Sequence, residues 1–182
     1  MSEAIDLLKR DEAPLTAAEW AAIDETVRQV AETNLVGRRM LPIYGPLGGG
    51  VQTVIHDIFK ATTIGGVDLL GQSGEGEVTP DERHYLPLPL IYKDFRMHWR
   101  DIDAFHHGLP LDAGAAAVAA AWCARAEDQL IFSGDKRLGI AGLTTASGRL
   151  TRKMGDWSQE GSAFSDIVAA TAQLLAAGFD GP

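Results

Sequence analysis

From residue 41 to residue 88 the chain shows no helical periodicity. Pro42, Gly45, Pro46 and the run Gly48, Gly49, Gly50 break any regular element at the start of this stretch, and Gly65, Gly66, Gly71, Gly74 and Gly76 break its middle. Connections inside a compact domain are short, and structureless loops beyond about 15 residues are uncommon. Within the stretch, residues 51–59 are rich in β-formers. The pattern predicts an extended β-hairpin arm that projects from the body and buries its apolar residues against other chains. A chain with such an arm is built for an assembly rather than for a self-contained globule.

The flanking segments supply helices. Residues 17–36 read as an amphipathic helix with an apolar stripe at Trp20, Ile23, Val27, Val30 and Ala31. Thr16 and Glu19 have the spacing of a capping box, Leu15 and Trp20 that of a hydrophobic staple, and Gly37 is placed to end the helix. Residues 88–102 read as a long strand, with bulky Ile91, Phe95, Met97 and Trp99 set against Arg96, His98 and Arg100, and with Pro87 and Pro89 confining its start to an edge. Residues 113–132 predict one long helix, with Asp112 as N-cap and Gly134 beyond its end. About 20 residues give a rod of roughly 30 Å. Its Ala-rich first half is apolar nearly all round, which predicts burial between layers. A last helix is expected at 164–177, carrying Ile167, Val168, Leu174 and Leu175 and closed by Gly178. The fold class is α+β.

Charge and composition exclude several functions. The formal net charge is −9 over 182 residues, which argues against gripping nucleic acid through phosphate contacts. No run reaches the roughly 18–20 apolar residues of a membrane span, and the first residues lack the apolar core of a signal peptide. The single cysteine, Cys123, cannot form an intramolecular disulfide, so a reducing, cytoplasmic location is expected.

Motifs for chemistry are weak. The run from Gly45 to Gly50 lacks the Gly-Lys-Ser/Thr of a phosphate loop. His106 and His107 are adjacent, without ligands at metal spacing, so no metal is expected. Cys123 sits among alanines and reads as a buried, inert thiol. Asp101 and Asp103 read as ordinary charges at an element's end rather than a catalytic pair. No Gly-x-Ser-x-Gly elbow is present. The chain is expected not to be an enzyme.

Four blocks carry a resemblance. APLTAAEWAAIDETVRQVAETNLVGRR, with Pro14, Leu15, Thr16, Trp20, Ile23, Asp24, Leu35, Gly37 and Arg38, resembles the N-terminal helix of encapsulin shell proteins. IYGPLGGGVQTV resembles the entry into that family's extended loop, and YKDFRMHWRDIDAF the return from it. AEDQLIFSGDKRLGIAGLTTASG is similar to the end of its spine helix and the Gly-Leu turn that follows. Pro42 departs from the acidic residue common there.

The resemblance implies the tailed-phage major capsid protein fold of the Hong Kong 97 type, incomplete at the C-terminus. It divides the chain into an N-terminal arm and lumen-facing helix (1–40), an extended loop (41–90), a peripheral domain with spine helix (91–140) and the start of an axial domain (141–182). It implies a homo-oligomeric icosahedral shell enclosing enzymes such as ferritin-like iron oxidases or dye-decolourising peroxidases, held by their C-terminal targeting peptides. Family chains run roughly a hundred residues further, so a second chain supplying that segment is an expected partner. A fragment, a split protein and a natural truncation remain open. The expected cargo-peptide surface is Val27, Val30, Ala31, Asn34 and Arg38: an apolar groove with one cation, suited to a short amphipathic peptide. No cofactor is expected; the resemblance puts Trp99 near subunit contacts where an aromatic could stack a flavin, and packing is the preferred reading. The alternative function is a prophage major capsid protein.

Overall fold

The computed structural model describes residues 9–60, 69–70 and 78–179. Its elements run α1 (Ala17–Asn34), α2 (Gly37–Met40), β1 (Thr53–Lys60), β2 (Thr79–Pro87), α3 (Trp99–His106), α4 (Gly114–Ser133), β3 (Gly134–Asp135), β4 (Ile140–Ala141) and α5 (Ser162–Ala176). The mixture is α+β.

The capping box starts α1 as the sequence predicts. The Thr16 backbone N–H donates to Glu19 Oε2 at 2.5 Å, and the Glu19 N–H donates back to Thr16 Oγ1 at 3.4 Å. Two amide groups that open a helix without intrahelical partners are thereby satisfied. Helix α1 packs on α4. The buried apolar side chains are Ile23 from α1 and Ala116, Ala119, Ala120 and Ala124 from α4, so the core among the described residues is the seam between these two helices. The small alanines let the backbones approach closely.

Gly37 does not simply end α1. The helix stops at Leu35, whose N–H bonds to Ala31 O at 2.9 Å, and Gly37 opens the short α2. Asp128 of α4 accepts from the N–H groups of Val36 (3.0 Å) and Gly37 (2.8 Å) and so caps α2 from across the seam. Gly37 is buried there, and a Cβ on it would lie 2.7 Å from Ile131 Cδ1. A contact with α4, rather than helix termination, is what requires glycine.

Strands β1 and β2 form the expected antiparallel hairpin, in register from Thr53↔Pro87 to Lys60↔Thr79 with an irregularity between Ile58 and Phe59. Asp57 and Arg83 face each other and pair at 2.7 and 2.9 Å. Gly65, Gly66, Gly71, Gly74 and Gly76 lie outside the described residues. Ile55, Ile58, Phe59, Tyr85 and Leu86 are exposed on the strands.

The strand expected at 88–102 is not formed. The Leu88 N–H still donates to Gln52 O at 2.8 Å, but residues 89–98 run without ladder pairing, and helix α3 begins at Trp99. Pro87 and Pro89 remove two backbone donors, which a ladder needs. His98 then caps a helix, its Nδ1 accepting from the Arg100 N–H at 3.2 Å. Ile102 and Phe105, three apart, are half-buried on that helix together with Asp101 and Ala104. Over so short a run, apolar alternation and helical spacing are hard to separate.

Helix α4 is a single 20-residue rod, as the sequence predicts. Its N-cap position is Ala113; Asp112 stands one residue earlier and accepts from the Gly114 N–H at 2.9 Å. At the other end Gly134 takes φ 72°, and the Gly-Leu-Thr-Thr turn closes over the last carbonyls. Leu143 N–H donates to Ile131 O (2.9 Å), Thr144 Oγ1 to Phe132 O (2.6 Å) and Thr145 Oγ1 to Ser133 O (3.0 Å). The predicted burial between layers holds only on the α1 side. Val118 and Trp122, on another face, are exposed.

Helix α5 lies within two residues of its predicted bounds, and Gly178 follows it at φ 81°. Asp166 anchors the preceding loop, accepting from the Gly155 N–H (2.6 Å) and Trp157 Nε1 (3.0 Å). Phe164, Ile167, Val168, Leu174 and Leu175 are exposed along it.

Candidate functional site

A groove of about 320 Å³ follows the α1–α4 seam. Helix α1 contributes Val27 and Ala31, its exit Leu35 and Arg38, and the unpaired segment before α3 adds Ile91, Lys93 and Phe95. Helix α4 supplies Ala116, Ala119, Ala120, Cys123, Ala124 and Glu127, whose spacings of three and one mark one helical face. The floor is therefore made of methyl groups and the rim of larger apolar side chains.

Three of the five expected residues meet in this groove: Val27, Ala31 and Arg38. Val30 and Asn34 do not line it. Val30 lies roughly 60° round the helix from Val27, on the side away from Ala31. Asn34 turns back on its own helix, its Nδ2 donating to Val30 O at 2.8 Å.

Arg38 is not an open cation. Its Nε and Nη2 donate to the two oxygens of Glu127 at 2.5 and 2.8 Å, and these bonds raise its pKa above the usual guanidinium value. The pair also lines an adjoining groove of about 610 Å³ formed with Leu41, Pro42, Ile43, Tyr44 and Ile131, so it stands as a partition between two apolar surfaces. The cation in the first groove without an ion-pair partner among the described residues is Lys93. Lys93, Ile91 and Phe95 were missed because residues 88–102 read as a strand. The α4 face was legible in the alanine spacing but read as all-round burial. Cys123, expected to be buried, is half-buried and faces the groove.

A second constellation stands at the start of α1. Glu19 is fully buried, with Oε2 taken by the Thr16 N–H and hydroxyl and Oε1 2.9 Å from His106 Nε2 of α3. The Thr16 N–H chiefly, then its hydroxyl and His106, hold the Glu19 carboxyl below its usual pKa against the opposing effect of burial. Arg10 clamps the preceding turn to α1, bonding Asp24 at 2.6 and 2.8 Å and covering Trp20 at 4.8 Å from its ring centre.

The other sequence candidates stay apart. His107 Nδ1 bonds Asp103 O at 2.8 Å, and Asp101 is half-buried. The Gly45–Gly50 run is exposed loop. Trp99 is 66% exposed, with the His98 ring at 5.7 Å and the Arg100 guanidinium at 5.7 Å. No group of three or more metal-type side chains is gathered among the described residues. No helix among them is long and apolar enough to cross a membrane.

The family model Linocin_M18, described as encapsulating protein for peroxidase, matches residues 5–182. The chain belongs to the encapsulin family. It is 53% identical over 178 residues to the type 1 encapsulin shell protein EncA of Myxococcus xanthus, covering 97% of this chain and 62% of that one. It is 41% identical over 165 residues to a diheme-cytochrome-encapsulin shell fusion protein of Kuenenia stuttgartiensis, covering 90% of this chain and 45% of that one. The chain thus spans less than two thirds of these encapsulin relatives. A virus-like particle from Pyrococcus furiosus superposes with a TM-score of 0.51 at 19% identity, over 80% of this chain and 52% of that chain. The fold is the capsid-like fold of encapsulins, of the Hong Kong 97 type, as the resemblance implied.

Proposed function

We propose that the chain is wall material of an encapsulin compartment: its copies close into an icosahedral shell that holds a guest enzyme by a short C-terminal peptide. The observation that carries the assembly is surface area. A compact 19.5 kDa domain exposes roughly 8,500 Å², whereas this chain exposes 15074 Å². The excess is apolar in places that matter, on both hairpin strands, on the outer face of α4 and along α5. Surfaces of that kind mark interaction sites. The arm is sandwiched between neighbouring copies, and the α5 face is covered by the part of the family's chain that this one does not span, on the same or a second polypeptide. The role is structural, needs no cofactor, and is exercised in the cytoplasm.

The guest peptide lies in the α1–α4 groove. Val27, Ala31 and the alanine floor receive its apolar side chains, and Arg38, held by Glu127, shapes one wall. Guests of the peroxidase class fit the family description. The phage-capsid alternative has no observation in its favour, and the net charge of −9 speaks against packaging nucleic acid.

The test is coexpression of the chain and the remaining family segment with a peroxidase bearing the guest peptide, read by negative-stain imaging and mass spectrometry. Closed particles containing the enzyme are expected. Val27→Asp should leave particles but empty them of guest. A monomer that carries no guest would overturn the reading, and filled Val27→Asp particles would overturn the groove assignment.

A further inference from the structure

His56 on β1 and His84 on β2 stand directly opposite each other across the hairpin. Their ring centroids are 5.4 Å apart, with planes inclined at 33°, and both residues are exposed. Strand alternation puts Glu82 on the same face, two residues before His84. Its Oε2 is 2.7 Å from His84 Nε2. A carboxylate oxygen only accepts, so Nε2 carries the proton and Nδ1 of the neutral ring keeps its lone pair. Metal-ligating histidines are oriented in this way, the second nitrogen donating to a carboxylate that fixes the tautomer and raises the basicity of the first. Asp57 and Arg83 belong to the opposite face and are engaged with each other at 2.7 Å, so neither competes for the rings.

We propose that His56 and His84 form a two-histidine chelate for a late divalent transition metal ion, with Glu82 as the outer carboxylate that orients His84. Imidazole donors select zinc, nickel or copper over magnesium and calcium, which take oxygen ligands. No third metal-type side chain is gathered round an ion position among the described residues, so water completes the coordination and the affinity is that of a chelate, not of a structural zinc site. The consequence is mechanical. An ion held between residues 56 and 84 ties the two strands together and stabilises the paired state in proportion to its occupancy. The arm becomes stiffer when metal is present. This inference uses one chain only and stands apart from the compartment reading.

The experiment is calorimetric titration of the metal-stripped chain with Zn²⁺ and with Ni²⁺, together with electron paramagnetic resonance of the Cu²⁺ form. One ion per chain at micromolar affinity is expected. His56→Ala and His84→Ala should each weaken binding at least about 10-fold, and Glu82→Gln by about 10-fold. His107→Ala should bind as the unaltered chain does. Zinc should slow amide exchange on both strands of the unaltered chain and of neither histidine variant. The copper spectrum, which needs no variant, should show two coupled nitrogens. No saturable binding below about 1 mM, a spectrum without nitrogen coupling, or unchanged affinity in both histidine variants would overturn the proposal.

Discussion

Glu19 shows how one residue serves two levels of structure. Its spacing from Thr16 makes the capping box, and its burial brings the second carboxylate oxygen to His106, 87 residues later in sequence. Its folded pKa lies below the ordinary 4.5, first because of the Thr16 N–H, then the Thr16 hydroxyl, then His106. A depressed carboxyl pKa stabilises the fold fully above the unfolded value, and that stabilisation is lost as pH falls through the folded value. Thermal unfolding followed from about pH 6 to about pH 3 should therefore fall more steeply for the unaltered chain than for Glu19→Gln. Parallel curves for the two would remove Glu19 from the acid response. The same residue shows the limit of sequence reading: the local partner was visible in a four-residue window, whereas His106 looked like half of an unremarkable His-His pair.

Among the elements, the long helix α4 was the most legible, because 20 residues of continuous helix formers bounded by Gly114 and Gly134 admit little else. Ala120 sits in its middle and is buried against α1. Proline there would remove a backbone hydrogen bond and clash with the preceding turn, at a cost of at least roughly 3 kcal/mol. For a chain of this size that corresponds to a drop of about 6–12 °C in Tm. An Ala120→Pro variant melting at the same temperature would contradict the placement. The hairpin was legible for a different reason, the clash between its length and the short loops of compact domains. Helix α3 was not, since Trp99, Ile102 and Phe105 satisfy a helical spacing only if Met97 and Phe95 are assigned elsewhere, and the choice fell to the cap formed by His98.

The whole molecule is dominated by what it leaves uncovered. Among the described residues the large apolar side chains of α5 are on the surface, Phe164 at 72% exposure. Covering a Leu-sized side chain is worth roughly 1.5–3 kcal/mol, so several bare on one helix constitute a strong drive to associate. Expressed by itself the chain is expected to self-associate in sedimentation velocity and to bind a hydrophobic dye. Adding the remaining family segment in trans should suppress the dye signal. A single cooperatively unfolding monomer without dye binding would refute this account.

Sequence alone determined the helices α1, α4 and α5, the hairpin arm and the family, since each rests on local spacing, capping chemistry or motifs read in order along the chain. Tertiary structure decided which faces those helices present. It placed Gly37 under Ile131 and Asp128, engaged Arg38 with Glu127, and brought Lys93 and Phe95 beside the alanine face of α4. It also set His56 against His84, a pairing fixed by strand register over 28 residues of separation. The physical reason is range. Caps and periodicity act within a few residues and are written locally, whereas the partner of a side chain across a seam depends on how two separately formed elements come to lie together, which no local pattern encodes.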